Sequence, residues 1–195
     1  MLSLSDGKKL VKLTRKTVED YLNEGKLKLK ETRFKEKRGI FISIHTFPDH
    51  KLRGCIGYPY PILQVGEAVQ RASISAAFKD VRFSPLKKDE LKEVVFEVSV
   101  LTQPKMINFN NPEEYLEKIK KNKDGLIIKH GLSSGLLLPQ VWKQIPDKKE
   151  FLTTLCWKAG LTPDYWEDKD TKIYCFRVQA FAEREPNGEV IQTSH

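Results

Sequence analysis

The chain has 195 residues, 39% of them hydrophobic and 31% charged, with 10 Phe, 6 Tyr and 3 Trp. This is enough apolar and aromatic material for one domain, or one domain in two lobes, and it excludes a disordered polymer. Lys plus Arg number 34 against 26 Asp plus Glu, a formal net charge of +8, and three cysteines rule out a disulfide scaffold, so a compact, basic, cytoplasmic protein is expected.

No stretch approaches the roughly 20 apolar residues of a membrane span, and Met1 to Lys9 lacks the apolar core of a signal peptide. Cys55, Cys156 and Cys175 are far apart, with no C-x-x-C and no nearby His pair, which argues against zinc. Gly131 and Gly135 lack the following Lys of a phosphate loop and read as a turn between strands. No cofactor is expected.

In chain order, residues 5–24 read as a helix capped by Ser5 or Asp6 and ended by Gly25, with Leu10, Val11, Leu13, Val18, Tyr21 and Leu22 as its apolar stripe. Residues 1–38 hold twelve basic and six acidic side chains, most of the net charge. Such a segment reads either as a phosphate footprint for nucleic acid or as a solvated lysine face. The second reading is preferred, because the run from Lys26 to Gly39 carries a single aromatic, Phe34. Residues 39–47 and 51–57 read as two strands of an antiparallel hairpin. Residues 62–79 form a helix whose Ala68, Ala72, Ala76 and Ala77 allow close packing. Val94–Thr102 is a strand, Pro112 opens a short helix through Lys121, and Gly125–His130 with Gly135–Leu138 make a second hairpin. Asp147 and Glu150 form a capping box for a helix that buries Phe151, Leu152, Leu155, Cys156 and Ala159 and stops at Gly160. Thr171–Arg184 reads as one long final strand, and residues 186–195 as a loose tail. The mixture of elements, with hairpins in place of regular βαβ units, predicts an α+β fold with a mostly antiparallel sheet.

The strand Leu52-Arg53-Gly54-Cys55-Ile56-Gly57 carries the candidate site. Alternation puts Leu52, Gly54 and Ile56 on one face and Arg53 and Cys55 on the other, about 7 Å apart at Cα. A glycine inside a strand marks the close approach of another backbone or of a ligand. A loop over Phe47–Lys51 sets Ile44 against Gly54, Ile42 against Ile56, Arg53 against His45 and Cys55 against Ser43. This keeps the apolar face intact and gathers His45, Arg53, Ser43 and Cys55 on the other. A guanidinium at that range favours a thiolate, whereas a one-residue slip would leave Cys55 a small packing residue. Asp80 and Arg82 follow the second helix and read either as a local ion pair or as partners in the same cleft.

The segments Leu52–Gly57, Ala76–Leu91, Glu97–Thr102, Gly135–Val141 and Phe151–Leu161 together resemble the AMMECR domain family, in order and over nearly the whole chain. The resemblance implies an α+β domain over residues 1–195, in two unequal lobes, the larger built on a sheet that includes both termini. In the family the segment matching Leu52–Gly57 is the signature element and the suspected functional site. No activity is settled for it. Microbial members sit beside, or are fused to, Memo-like and radical-SAM proteins, which suggests such partners. The expectation is therefore a protein that binds or modifies a small anionic ligand or partner. Arg53 would bind the anion, Cys55 would be a nucleophile or contact residue, Gly54 and Gly57 would permit approach, His45 would share the face, and Asp80 and Arg82 would orient the ligand. Two alternatives remain: a nucleic-acid-binding module on the basic N-terminal third, and an adaptor for a Memo-like or radical-SAM protein. Whether the protein is an enzyme stays open, since no residue pair makes a standard triad or metal site.

Overall fold

Ser3 starts the first helix, α1 (Leu4–Glu24): its hydroxyl accepts the Asp6 N–H while the Asp6 carboxylate accepts the Ser3 N–H. The cap is thus Ser3, two residues earlier than Ser5, because only Ser3 has an acidic side chain at the reciprocal position. Gly25, at φ 70°, ends the helix. The structure, a computed structural model, describes residues 1–109 and 111–193. The remaining elements are β1 (Ile40–Thr46), β2 (Leu52–Tyr58), α2 (Val65–Phe78), β3 (Val94–Leu101), β4 (Lys105–Met106), α3 (Glu113–Lys118), β5 (Gly125–His130), β6 (Ser133–Leu137), α4 (Lys148–Lys158), β7 (Lys172–Phe176), β8 (Val178–Glu183) and β9 (Val190–Thr193). This is an α+β fold.

The chain divides into two compact units, Met1–Leu101 with the segment from Gln179 onward, and Thr102–Val178. In the first unit a five-stranded sheet runs in the order β2-β1-β3-β8-β9. Ile40, Ile42 and Ile44 of β1 point to one face and pack with Phe96, Val98, Phe181 and the apolar sides of α1 and α2 in one buried cluster. In the second unit a four-stranded sheet runs β4-β7-β5-β6. Leu126, Ile128, Leu137 and Ile173 pack there with α4 and with Trp142, whose ring stacks on Phe151 at 3.7 Å between centroids.

The C-terminal region departs from expectation twice. The single strand over 171–184 is two strands of different sheets, divided at Arg177, whose N–H donates to Thr102 Oγ1 and whose carbonyl accepts the Thr102 N–H. The segment after Pro186 is not loose: Asn187 takes φ 59°, Arg184 N–H donates to the Glu189 carbonyl, and β9 pairs with β8 from Glu183↔Val190 to Ala180↔Thr193. Ser194 and His195, also assigned to that tail, lie outside the described residues.

Candidate functional site

β2 is an edge strand, so only β1 completes its ladder. The register over its centre is the one alternation requires: Ile42↔Ile56, Ser43↔Cys55, Ile44↔Gly54. Beyond Ile44 it shifts. His45 pairs with Leu52, and Arg53 is the extra residue of a bulge. The expected Arg53–His45 pairing is therefore absent. His45 instead sits between Leu52 on one side and Val95 on the other.

The bulge sends Arg53 to an anion of the protein itself. Arg53 Nε and Nη2 donate to Glu90 Oε1 and Oε2 at 3.0 and 3.2 Å, and the side chain is only 13% exposed. Glu90 is fixed in turn by the Lys87 N–H at 2.8 Å. The two glycines admit protein atoms. A Cβ on Gly54 would lie 2.3 Å from the Ala76 carbonyl oxygen, so this position is what lets α2 close onto the sheet. A Cβ on Gly57 would meet the Ile40 carbonyl oxygen at 2.2 Å and the Phe41 ring at 2.5 Å.

Cys55 is held from three directions. Its Sγ accepts from Ser43 Oγ at 3.2 Å. Its N–H donates to Asp80 Oδ2 at 2.9 Å, and its carbonyl accepts from Arg82 Nη2 at 3.2 Å. Asp80 follows the end of α2 with its carboxylate buried. Arg82 forks onto it, Nε to Oδ1 at 2.9 Å and Nη2 to Oδ2 at 2.7 Å, and the Arg82 N–H adds a further bond to Oδ1 at 3.2 Å. The Arg82 hydrogen bonds, with the Cys55 N–H, hold the Asp80 carboxyl well below the usual carboxylate range against the opposing effect of burial. Asp80 in turn raises Arg82, and a Cys55 thiolate acts in the same direction.

This arrangement has a plain structural use. An edge strand presents unpaired N–H and C=O groups, and Asp80 and Arg82 satisfy both groups of Cys55 as a neighbouring strand would. Two groups remain available for chemistry. Arg82 is 53% exposed, and its Nη1 takes part in none of these bonds. Among the described residues the half-buried Cys55 thiol has the Ser43 hydroxyl as its one hydrogen-bond partner. Arg82 and Arg53 lie 5.4 and 6.0 Å from the centroid of the Phe83 ring, so the edge carries two guanidinium groups about one aromatic. Glu90 and Phe83 escaped the sequence reading, since 37 residues separate Arg53 from Glu90 and no local pattern joins them.

The other two thiols differ. Cys156 is buried on α4 and Cys175 half-buried on β7, and burial pushes both upward. No group of three or more His, Cys, Asp or Glu among the described residues is placed to hold a metal ion. Three surface cavities of about 370, 320 and 290 Å³ are lined chiefly by α1, the 26–36 segment and the β8–β9 turn; Cys55 lines none of them. In the basic N-terminal third, Lys16 and Lys30 pair with Asp20, Lys28 with Glu24, Arg33 with Asp6, Lys35 with Glu31 and Arg38 with Glu36. Among the described residues no helix is long and apolar enough to cross a membrane.

A family model described as AMMECR1 matches residues 11–181. The chain belongs to the AMMECR1 family. It is 49% identical over 195 residues to Protein MJ0810 of Methanocaldococcus jannaschii, covering 98% of this chain and 97% of that one. It is 47% identical to Protein MK0488 of Methanopyrus kandleri, covering 97% and 94%. The crystal structure of the uncharacterized protein PH0010 from Pyrococcus horikoshii aligns with a TM-score of 0.81 at 44% identity, covering 97% of each chain. The two sequence relatives match this chain over nearly its whole length, the Pyrococcus horikoshii protein shares its fold, and none of the three names states an activity.

Proposed function

We propose that this AMMECR1-family chain binds an anionic group, a carboxylate or phosphate of a small molecule or partner, at the outer edge of β2, with Arg82 as the anion contact and the Cys55 thiol against the bound group. Arg53, Gly54 and Gly57 are then positioning residues: Arg53 anchors the bulge through Glu90, and the glycines let the strand meet α2 and Phe41. Asp80 fixes the Arg82 fork and the Cys55 backbone together. His45 shares the sheet face of Ser43. The three free cysteines suit the reducing cytoplasm.

The observation that carries the reading is the half-exposed Arg82, locked at Nε and Nη2 with Nη1 to spare, hydrogen-bonded to the backbone of a half-buried cysteine. A guanidinium fixed on one edge offers its remaining donors at little further entropic cost. The test is alkylation of the native protein with iodoacetamide, followed by peptide mass spectrometry. Cys55 is modified first and Cys156 last. Equal protection of Cys55 and Cys156 removes the thiol from the site.

A further inference from the structure

In the second unit α4 packs against one face of the sheet. Leu126, Ile128, Leu137 and Ile173 point into that core. By alternation the opposite face carries Gly125 and Phe176 at a buried end and, along the remainder, Ile127 and Lys129 of β5, Ser134 and Leu136 of β6, Lys172 and Tyr174 of β7, and Met106 of β4. The register sorts them into two rows across the strands. Lys172, Lys129 and Ser134 lie in one row, since Lys129 pairs with both of the others. Met106, Tyr174, Ile127 and Leu136 lie in the next, since Met106 and Ile127 pair with Tyr174 and Leu136 pairs with Ile127.

The first row is basic and exposed, and the second is apolar with an aromatic at its centre. Lys129 and Lys172 are exposed, Tyr174 is half-buried, and Met106 is 50% exposed. Lys129 Nζ stands 5.5 Å from the centroid of the Tyr174 ring. Among the described residues neither lysine has a carboxylate partner, a state they share with Lys8, Lys9, Lys12, Lys26 and Lys37 but not with Lys16, Lys28, Lys30 and Lys35.

We propose that the exposed part of this sheet face binds single-stranded nucleic acid, with a base stacked against Tyr174 and the flanking phosphates on Lys129 and Lys172. The rows lie about 6.6 Å apart, two residues along a strand, which puts an ammonium group within a nucleotide's reach of a ring-stacked base. An aromatic platform bordered by unpaired cations is the arrangement that holds single strands without reading their sequence. Charge complementarity selects this occupant over an acidic peptide, because the aromatic and apolar row offers a peptide carboxylate nothing. It also selects it over a lipid surface, because Ile127 is buried and Tyr174 and Leu136 are half-buried, leaving Met106 as the exposed apolar group of the row.

Fluorescence anisotropy with short labelled oligouridylate and oligothymidylate at about 50 and about 200 mM salt tests the proposal. The full chain binds at low salt. Lys129→Gln with Lys172→Gln weakens binding at least about tenfold and lowers the log–log salt slope by about 1.4, the share of two single-strand phosphate contacts. Tyr174→Ala weakens binding by about tenfold, and Tyr174→Phe restores it. Lys26→Gln with Lys28→Gln changes nothing. Thermal melts of each variant, matched to the parent, exclude misfolding as the cause. No binding at low salt overturns the proposal, as does binding that the N-terminal variant abolishes and the sheet variants leave intact. Cosedimentation with phosphatidylserine vesicles that depends on Lys129 and Lys172, without oligonucleotide binding, assigns the face to membranes and likewise overturns it.

Discussion

Of the arginine–carboxylate pairs that serve the first sheet, one lies behind its centre and another, Arg82–Asp80, at its edge, and their surroundings differ in one respect that matters. Arg15 of α1 meets Glu183 of β8 at 2.6 and 2.7 Å and spends its other donors on the Leu91 and Val94 carbonyls, while Glu183 also accepts the Phe96 N–H at 3.0 Å. Both side chains are almost wholly buried, 6% and 3% exposed, and every one of these bonds lies within the fold. Arg82 and Asp80 make a fork of the same kind, yet only the carboxylate is buried and the guanidinium keeps Nη1 outside the network. Chemically similar pairs thus do different work. The first closes α1 onto β3 and β8 and has nothing left to bind with. The second seals the β2 edge at Cys55 and retains a fixed, half-exposed cation.

The largest effect expected from this contrast is on stability. Glu183→Ala strands Arg15 in the interior and costs about 3–5 kcal/mol, read by urea denaturation. Arg82→Ala costs less, because the buried Asp80 carboxylate it strands keeps the N–H donors of Cys55 and of residue 82. If the two substitutions destabilise alike, the edge pair is a structural lock and the contrast fails. Next in size is Gly54→Val, which drives a side chain into the Ala76 carbonyl and costs about 1–3 kcal/mol in the same assay. Arg53→Ala costs about 1 kcal/mol, because its salt link to Glu90 is only partly desolvated. A cost for Arg53→Ala above that of Gly54→Val would make the bulge, and not the α2 contact, the keystone of the motif.

Acid provides a smaller and more selective test. The Asp80 carboxyl in the folded protein sits below its unfolded value, so the unfolded chain binds that proton more tightly. Its contribution to stability is complete above the unfolded value, near pH 4, and fades as pH falls below it. Thermal melts at neutral pH and near pH 3 should therefore show a larger acid loss in the parent than in Asp80→Asn. An equal loss in both would place the acid-sensitive contacts elsewhere.

How far these features could be read from sequence depended on whether their cause was local. The α1 stripe, the β1–β2 hairpin and the Ser43↔Cys55 register follow from alternation and punctuation within a few residues, and each is found. The bulge at Arg53 is set by Glu90, far along the chain, so periodicity alone kept Arg53 opposite His45. Residues 172–183 carry no Gly or Pro to mark the break at Arg177, which Thr102 imposes from 75 residues away. The Pro186-Asn187-Gly188 run looked like a chain end and is a tight turn into β9. Asp80 and Arg82 read from sequence either as a local ion pair or as cleft partners, and the structure brings both to the Cys55 backbone, where one strand edge meets one helix end. Their division of labour was not legible, since it depends on which of two arginines already has a carboxylate and how much of it reaches solvent.

The central claim is that Arg82 presents an anion-binding cation beside an accessible Cys55 thiol. It is tested most directly by comparing alkylation of Cys55 by iodoacetate, an anion, with that by iodoacetamide, its neutral counterpart, in the parent and in Arg82→Gln. The account predicts that iodoacetate is favoured at Cys55 relative to a free cysteine peptide, that the preference shrinks with added salt, and that Arg82→Gln removes it while the iodoacetamide rate is kept. An iodoacetate preference that survives Arg82→Gln, or none at all in the parent, would contradict it.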